Sequence, residues 1–159
     1  MSISSDGILC YGFQIKDEDG DIIGEGETPE FLKTSLDDDD DDDSEPLEFD
    51  DLLANIAKIN SPDVEYDEHS KEEYEEYWGK KHELERVCPV ELVIHCSFEY
   101  GMYILAIKES HSAAYRGYPV ELGKQITTNP AWDSILRNFC KEANIPFEEP
   151  GWVLASLYG

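Results

Sequence analysis

Residues able to do metal, nucleophilic or acid–base chemistry are scattered through this chain. His95, Cys96 and Cys88 lie close together, but zinc ligands usually come in pairs such as Cys-x2-Cys or His-x3-His. Neither spacing occurs here. On a strand, His95 and Cys96 would also point to opposite faces. Core cysteines beside an edge histidine are therefore expected. Cys96 or Ser97 with His95 or His111 would make a nucleophile and a base, yet no Gly-x-Ser-x-Gly elbow accompanies them. No Gly-x-x-x-x-Gly-Lys loop, Gly-x-Gly-x-x-Gly or His-Glu-x-x-His occurs. Asp17-Glu18-Asp19-Gly20-Asp21 has the composition of a calcium loop. An EF-hand starting at Asp17 needs Gly at the sixth position and Glu at the twelfth, where Ile22 and Thr28 stand. That segment reads as an exposed hairpin turn. Arg116, between Tyr115 and Tyr118, reads as a turn residue paired to a carboxylate, with recognition as the alternative. No catalytic residue, metal or cofactor is assigned, and the expectation is a protein that is not an enzyme.

The charge carries more information. The 159 residues include 37 Asp+Glu and 12 Lys+Arg, a net charge of −25. Residues 1–83 hold 28 acids and 6 bases, whereas residues 84–159 hold 9 and 6, so the two parts carry −22 and −3. Such a charge argues against direct binding to DNA, RNA or an anionic membrane, whose phosphates attract Lys and Arg. The acids come in blocks. Asp37 to Asp43 is an unbroken run of seven aspartates. Glu45, Glu48, Asp50 and Asp51 follow, then Asp63, Glu65, Asp67 and Glu68, then Glu72, Glu73, Glu75 and Glu76. A run of like charges repels itself and buries nothing, so residues 34–46 are expected to form a flexible acidic loop.

The rest must fold. A hydrophobic fraction of 40% and an aromatic fraction of 11% are too high for a wholly disordered chain. The length fits one domain over residues 1–159. Gly7 to Ile15 reads as a strand, with Asp19-Gly20 as a hairpin turn and Ile22-Ile23 as a short return. Ser44 and Pro46 suit a helix start, and Leu47, Phe49, Leu52, Leu53, Ile56 and Ile59 recur at helical spacing until Asn60-Ser61-Pro62. Ser70 and Glu73 predict a capping box for a second helix, with Tyr74, Tyr77, Trp78 and Leu84 as its apolar stripe. In Pro89 to Cys96, Val90, Leu92 and Ile94 alternate with Glu91, Val93 and His95, which predicts a strand. Met102 to Ile107 and Ala113 to Arg116 follow as strands. Asn129-Pro130 starts a helix carrying Trp132, Ile135, Leu136, Phe139, Cys140 and Ala143, ended by Asn144 to Pro146. Val153 to Tyr158 is the last strand. The fold class is α+β, an antiparallel sheet of four or five strands covered on one side by about three helices.

The opening Met1 to Asp6 has neither a basic nor an apolar stretch, and no run approaches a membrane span. A cytoplasmic protein is expected, with Cys10, Cys88, Cys96 and Cys140 reduced.

Cys96 to Ala106, Tyr115-Arg116-Gly117, Gly151 to Gly159 and the Gly7 to Gly12 opening together resemble a family of small acidic proteins of bacteriophages and their bacterial hosts. That family usually reads Cys-Ser-x-Asp-Tyr-Pro-Met-Tyr, where this chain has Glu99 and Gly101. The resemblance covers about a third of the chain and does not include the aspartate run. It implies a shared fold and a phage origin, with no known catalytic residues.

The expected function is inhibition of a host nucleic-acid-binding defence protein, a nuclease or CRISPR effector, by an acidic DNA mimic. Its contact residues would be Asp37, Asp38, Asp39, Asp40, Asp41, Asp42, Asp43, Glu45, Glu48, Asp50, Asp51, Glu72, Glu73, Glu75 and Glu76. Phe31, Tyr66, Tyr74, Tyr77 and Trp78 would supply apolar anchors. One alternative is an adaptor that binds through Tyr100, Tyr103, Arg116 and Trp152, with the acid serving solubility. A small enzyme without a recognisable motif is the other, which a concave pocket gathering His95, His111 and carboxylates would favour.

Overall fold

Alternating apolar residues pair into strands and residues three or four apart line helix faces, and both periods are realised here. The computed structural model describes residues 5–17, 19–24, 27–33, 47–62, 70–97, 101–123 and 126–158. Among these are five strands, β1 (Ser5–Gln14), β2 (Val90–Ser97), β3 (Gly101–Ile107), β4 (Ser112–Ala114) and β5 (Gly151–Tyr158). The helices are α1 (Phe49–Ile56), α2 (Lys71–Val87) and α3 (Trp132–Ala143). The chain forms two compact units, one of Met1–Glu30 with Pro89–Gly159 and one of Phe31–Cys88. The class is α+β, as expected. The run Asp37–Asp43 and Glu45, together with Ser44, Pro46, Tyr66 and Tyr100, lies outside the described residues.

In the first unit the strand order is β3-β2-β5-β1-β4, and β1 also pairs with β3. The pairings therefore run in a circuit, β1 to β5 to β2 to β3 and back to β1. All are antiparallel except β2 with β5, at Cys96↔Leu157 and Ser97↔Tyr158, so the sheet is mixed and not purely antiparallel. Three antiparallel pairings and one parallel pairing cannot close among straight strands. The bends fall where partners change. Gly12 pairs with both Ala106 and Gly151. A Cβ there would lie 2.0 Å from the Leu105 carbonyl oxygen, so only glycine fits. Cys96 adopts a φ of 74°, which breaks the strand alternation at the point where β2 meets β5. Opposite orientation of His95 and Cys96 holds only for a regular strand, so that expectation loses its basis.

Within the circuit, Ile8, Cys10, Val93, Ile104 and Ala106 form a buried cluster, joined by Val153, Ala155 and Leu157. These are alternate positions on each strand, as a pleated sheet requires. Two readings of β2 are corrected. His95 is buried, only 8% exposed, and is not an edge group, while Ile94 is 45% exposed. Val93 takes the core place because its register partner is Ile104. Elsewhere in this unit, α3 buries Trp132, Leu136, Phe139, Cys140 and Ala143. Tyr11, Trp132 and Trp152 form an aromatic triad with centroids 5.2 to 6.0 Å apart. α3 begins at Trp132 with Ala131 as its N-cap, later than the expected start at Asn129, whose Oδ1 accepts the Ala131 N–H at 3.0 Å just ahead of the helix. Asn144 ends it in the left-handed conformation, which asparagine tolerates.

The turn after β1 forms as expected. Asp17 Oδ1 accepts the N–H groups of Asp19 and Asp21 at 3.0 and 2.9 Å, and Gly20 takes a φ of 86°. The return strand shrinks to a single bridge, Lys16↔Ile22.

In the second unit α1 starts later than expected, at Phe49 with Glu48 as its N-cap. Asp51 supplies the return bond of a capping box, its Oδ2 accepting the Glu48 N–H at 3.2 Å. The helix also ends earlier than Asn60, in a Schellman motif. Ile59 N–H donates to Ala54 C=O at 2.9 Å and Lys58 N–H to Asn55 C=O at 3.1 Å. Ser70 does precede α2, but it makes no side-chain cap bond. Its φ and ψ of −90° and −1° are already helical, and capping needs an extended residue.

Candidate functional site

Between α1 and α2, charge is matched at one point. The apolar stripe of α2 follows helical spacing from Tyr74 through Tyr77 and Trp78 to Leu84, and Lys81 falls inside it. The Lys81 side chain is only 2% exposed. Its Nζ donates to Asp50 Oδ2 at 3.1 Å and to Asp51 Oδ1. The ammonium also lies 4.6 Å from the Trp78 ring centroid and 5.6 Å from that of Tyr77. Burial works against the charge, but the hydrogen bonds Lys81 donates to Asp51 and Asp50 prevail and raise its pKa above the ordinary value.

The carboxylate oxygens of Glu48, Asp50 and Asp51 lie within 4.8 Å of one another, a spacing that suits a divalent cation. Lys81 already supplies a positive charge to two of these three. Asp50 and Asp51 are thus engaged inside the unit. Glu72, Glu73, Glu75 and Glu76 are exposed on α2, as expected. Two of them carry lysine partners, Glu75 with Lys71 at 3.6 Å and Glu76 with Lys80 at 2.6 Å. Lys80 holds the Glu76 carboxyl below its usual pKa, mainly through their hydrogen bond.

These pairings relocate the excess charge. The described residues of the second unit hold 9 acids and 6 bases. Residues 34–46 and 63–69 hold 12 acids and no Lys or Arg. By sequence, the acids in excess of bases therefore fall mainly in the two segments that flank α1.

The first unit has a different polar site. Glu109, Ser110, His111, Ser112, Thr127, Thr128, Asn129 and Trp132 line an open cleft of about 400 Å³. His111 Nδ1 lies 2.8 Å from Glu91 Oε1, and the hydrogen bond to Glu91 raises the imidazole pKa. Trp132 Nε1 donates to Glu109 Oε1 at 2.6 Å. Ser110 Oγ accepts the Tyr11 N–H at 2.8 Å and donates to the Ile107 carbonyl at 2.6 Å, so it is committed to backbone. His95 does not line this cleft. It lies buried in β2, where desolvation lowers its pKa. His111 is therefore gathered with carboxylates, and His95 is not.

Two functional features escaped the sequence reading. Lys81 was detectable as a base within an apolar stripe. Glu91 was detectable as a lone acid on an apolar strand, although nothing local ties it to His111. Trp152, a candidate adaptor residue, belongs to the aromatic triad. Arg116 sits in a tight turn, where Tyr118 N–H donates to Tyr115 C=O at 2.8 Å. Among the described residues, no helix is long and apolar enough to cross a membrane. No protein-family model, curated protein or solved structure matches this chain.

Proposed function

We propose that this chain is a non-enzymatic inhibitor that binds a basic nucleic-acid-binding protein, presenting carboxylates where that protein binds phosphates. The observation that carries the proposal is the matched charge around Lys81. With those charges matched, most of the acid in excess of base falls in residues 34–46 and 63–69, the latter joining α1 to α2 in sequence. DNA carries one charge per about 1.7 Å of axis, and a protein groove built for it attracts a dense carboxylate array. Solubility alone asks for a net charge of about 2 to 8 in magnitude for a small domain, far less than this chain carries. Long-range attraction would speed association and make it salt-dependent. The phage-family resemblance favours a host nuclease or CRISPR effector as the partner and the host cytoplasm as the compartment.

The test is association kinetics against a purified restriction nuclease and a Cas9-type effector along a salt series. Replacing Asp37–Asp43 by Asn is expected to cut the association rate by about 10-fold or more and flatten its salt dependence. Replacing Glu72, Glu73, Glu75 and Glu76 by Gln should have a smaller effect, because lysines already offset two of them. Equal rates and slopes for wild type and the Asn variant would defeat the mimicry reading.

A second reading rests on the Tyr115–Tyr118 turn, where the two tyrosines are 62% and 76% exposed. Exposed tyrosines on a firm turn suit an adaptor surface. Loss of binding on Tyr118→Ala, with binding unchanged in the Asn variant, would favour it.

A further inference from the structure

We propose that the cleft formed by the Lys108–Ser110 turn, the start of β4 and residues 127–129 binds a small uncharged polyhydroxylated molecule, of monosaccharide or ribose size. Its volume of about 400 Å³ suits a small ligand. Ser112, Thr127 and Thr128 line the cleft with hydroxyls, beside the Ser110 hydroxyl that is committed to backbone. A hydroxyl both donates and accepts, so this lining complements a ligand whose own groups do the same. Among the described residues no Lys or Arg lines the cleft, and Glu109 does, so a phosphate or carboxylate ligand would meet a like charge there.

Three of the polar lining residues are also held before any ligand arrives. Glu109 is fixed by Trp132 Nε1, His111 by Glu91, and Ser110 by two backbone bonds. Such groups lose little rotamer freedom on binding, unlike the mobile side chains of a chance surface crevice. Glu91 acts here as a positioning residue for the His111 ring. This inference is independent of the acidic segments, which lie in the other unit.

The experiment is an amide chemical-shift titration of the isotope-labelled full chain with D-glucose, D-ribose, myo-inositol and inorganic phosphate in turn. At least one of the three polyols should shift the amides of residues 109–112 and 127–129 saturably, and phosphate should not. Thr128→Val, at an exposed position, and His111→Ala should each weaken that binding by about 10-fold, with the remaining amides unmoved. Absence of saturable shifts with all three polyols would overturn the proposal. So would saturation of the same amides by phosphate, or affinities unchanged in both variants.

Discussion

Lys81 on α2 reaches Asp50 on α1, Nζ to Oδ2 3.1 Å, from within an otherwise apolar stripe. The Asp50 side chain is itself only 14% exposed, so both charges are largely desolvated. Such a pair adds little over an apolar contact of the same shape, but removing one member leaves the other uncompensated. This relationship makes α1 and α2 interdependent, and it commits Asp50 and Asp51 within the helix pair.

Lys81→Met is therefore expected to destabilise the helix pair by about 3 kcal/mol, read from urea unfolding followed by tryptophan fluorescence. Adding Asp50→Asn and Asp51→Asn to Lys81→Met should recover part of the loss, because the stranded charges disappear. If Lys81→Met unfolds at the wild-type midpoint, the ion pair does not hold the helices.

The two histidines of the sheet unit should titrate on opposite sides of the ordinary value of 6.5. His111 is raised, so its contribution to stability is complete below that value and fades as pH rises through its folded pKa. His95 is lowered, so stability is lost as pH falls below the ordinary value, where the unfolded chain gains a proton that the folded chain refuses. Imidazole resonances followed by NMR would show both directions. Glu91→Gln should bring the His111 titration down and leave His95 in place. A His111 midpoint unmoved by that change would remove the dyad.

Gly12→Ala should disrupt the sheet unit, because the added methyl would occupy the space of the Leu105 carbonyl. The expected loss exceeds about 4 kcal/mol, visible as failure to give a cooperative thermal transition. A variant that melts within a few degrees of wild type would mean that β1 and β3 need not approach so closely.

Lys58 takes the left-handed position of the Schellman motif, with a φ of 56°, where glycine is the usual residue. Lys58→Gly relieves about 1 kcal/mol of backbone strain and gives back part of it as extra freedom of the unfolded chain. A net gain of about 0.5 kcal/mol in the unfolding of the helix pair is expected. Destabilisation on substitution would show that the lysine side chain has a role of its own.

Much of this protein follows from local patterns. The strand from Gly7, the Asp19-Gly20 turn, the stripe from Trp132 to Ala143 and the α+β class rest on periodicity and turn chemistry, which act between residues near in sequence. The concentration of acid before residue 84 is likewise a property of the chain itself. The parallel contact of β2 with β5, the close approach at Gly12 and the burial of His95 depend on strand partners chosen across the whole unit. The inward place of Lys81 depends on two aspartates 30 and 31 positions earlier, and that of Glu91 on a histidine beyond β3. Local pattern says that a residue lies on a strand or a helix face. Only the tertiary structure decides which distant group neutralises it, because burial removes the water that would otherwise do so.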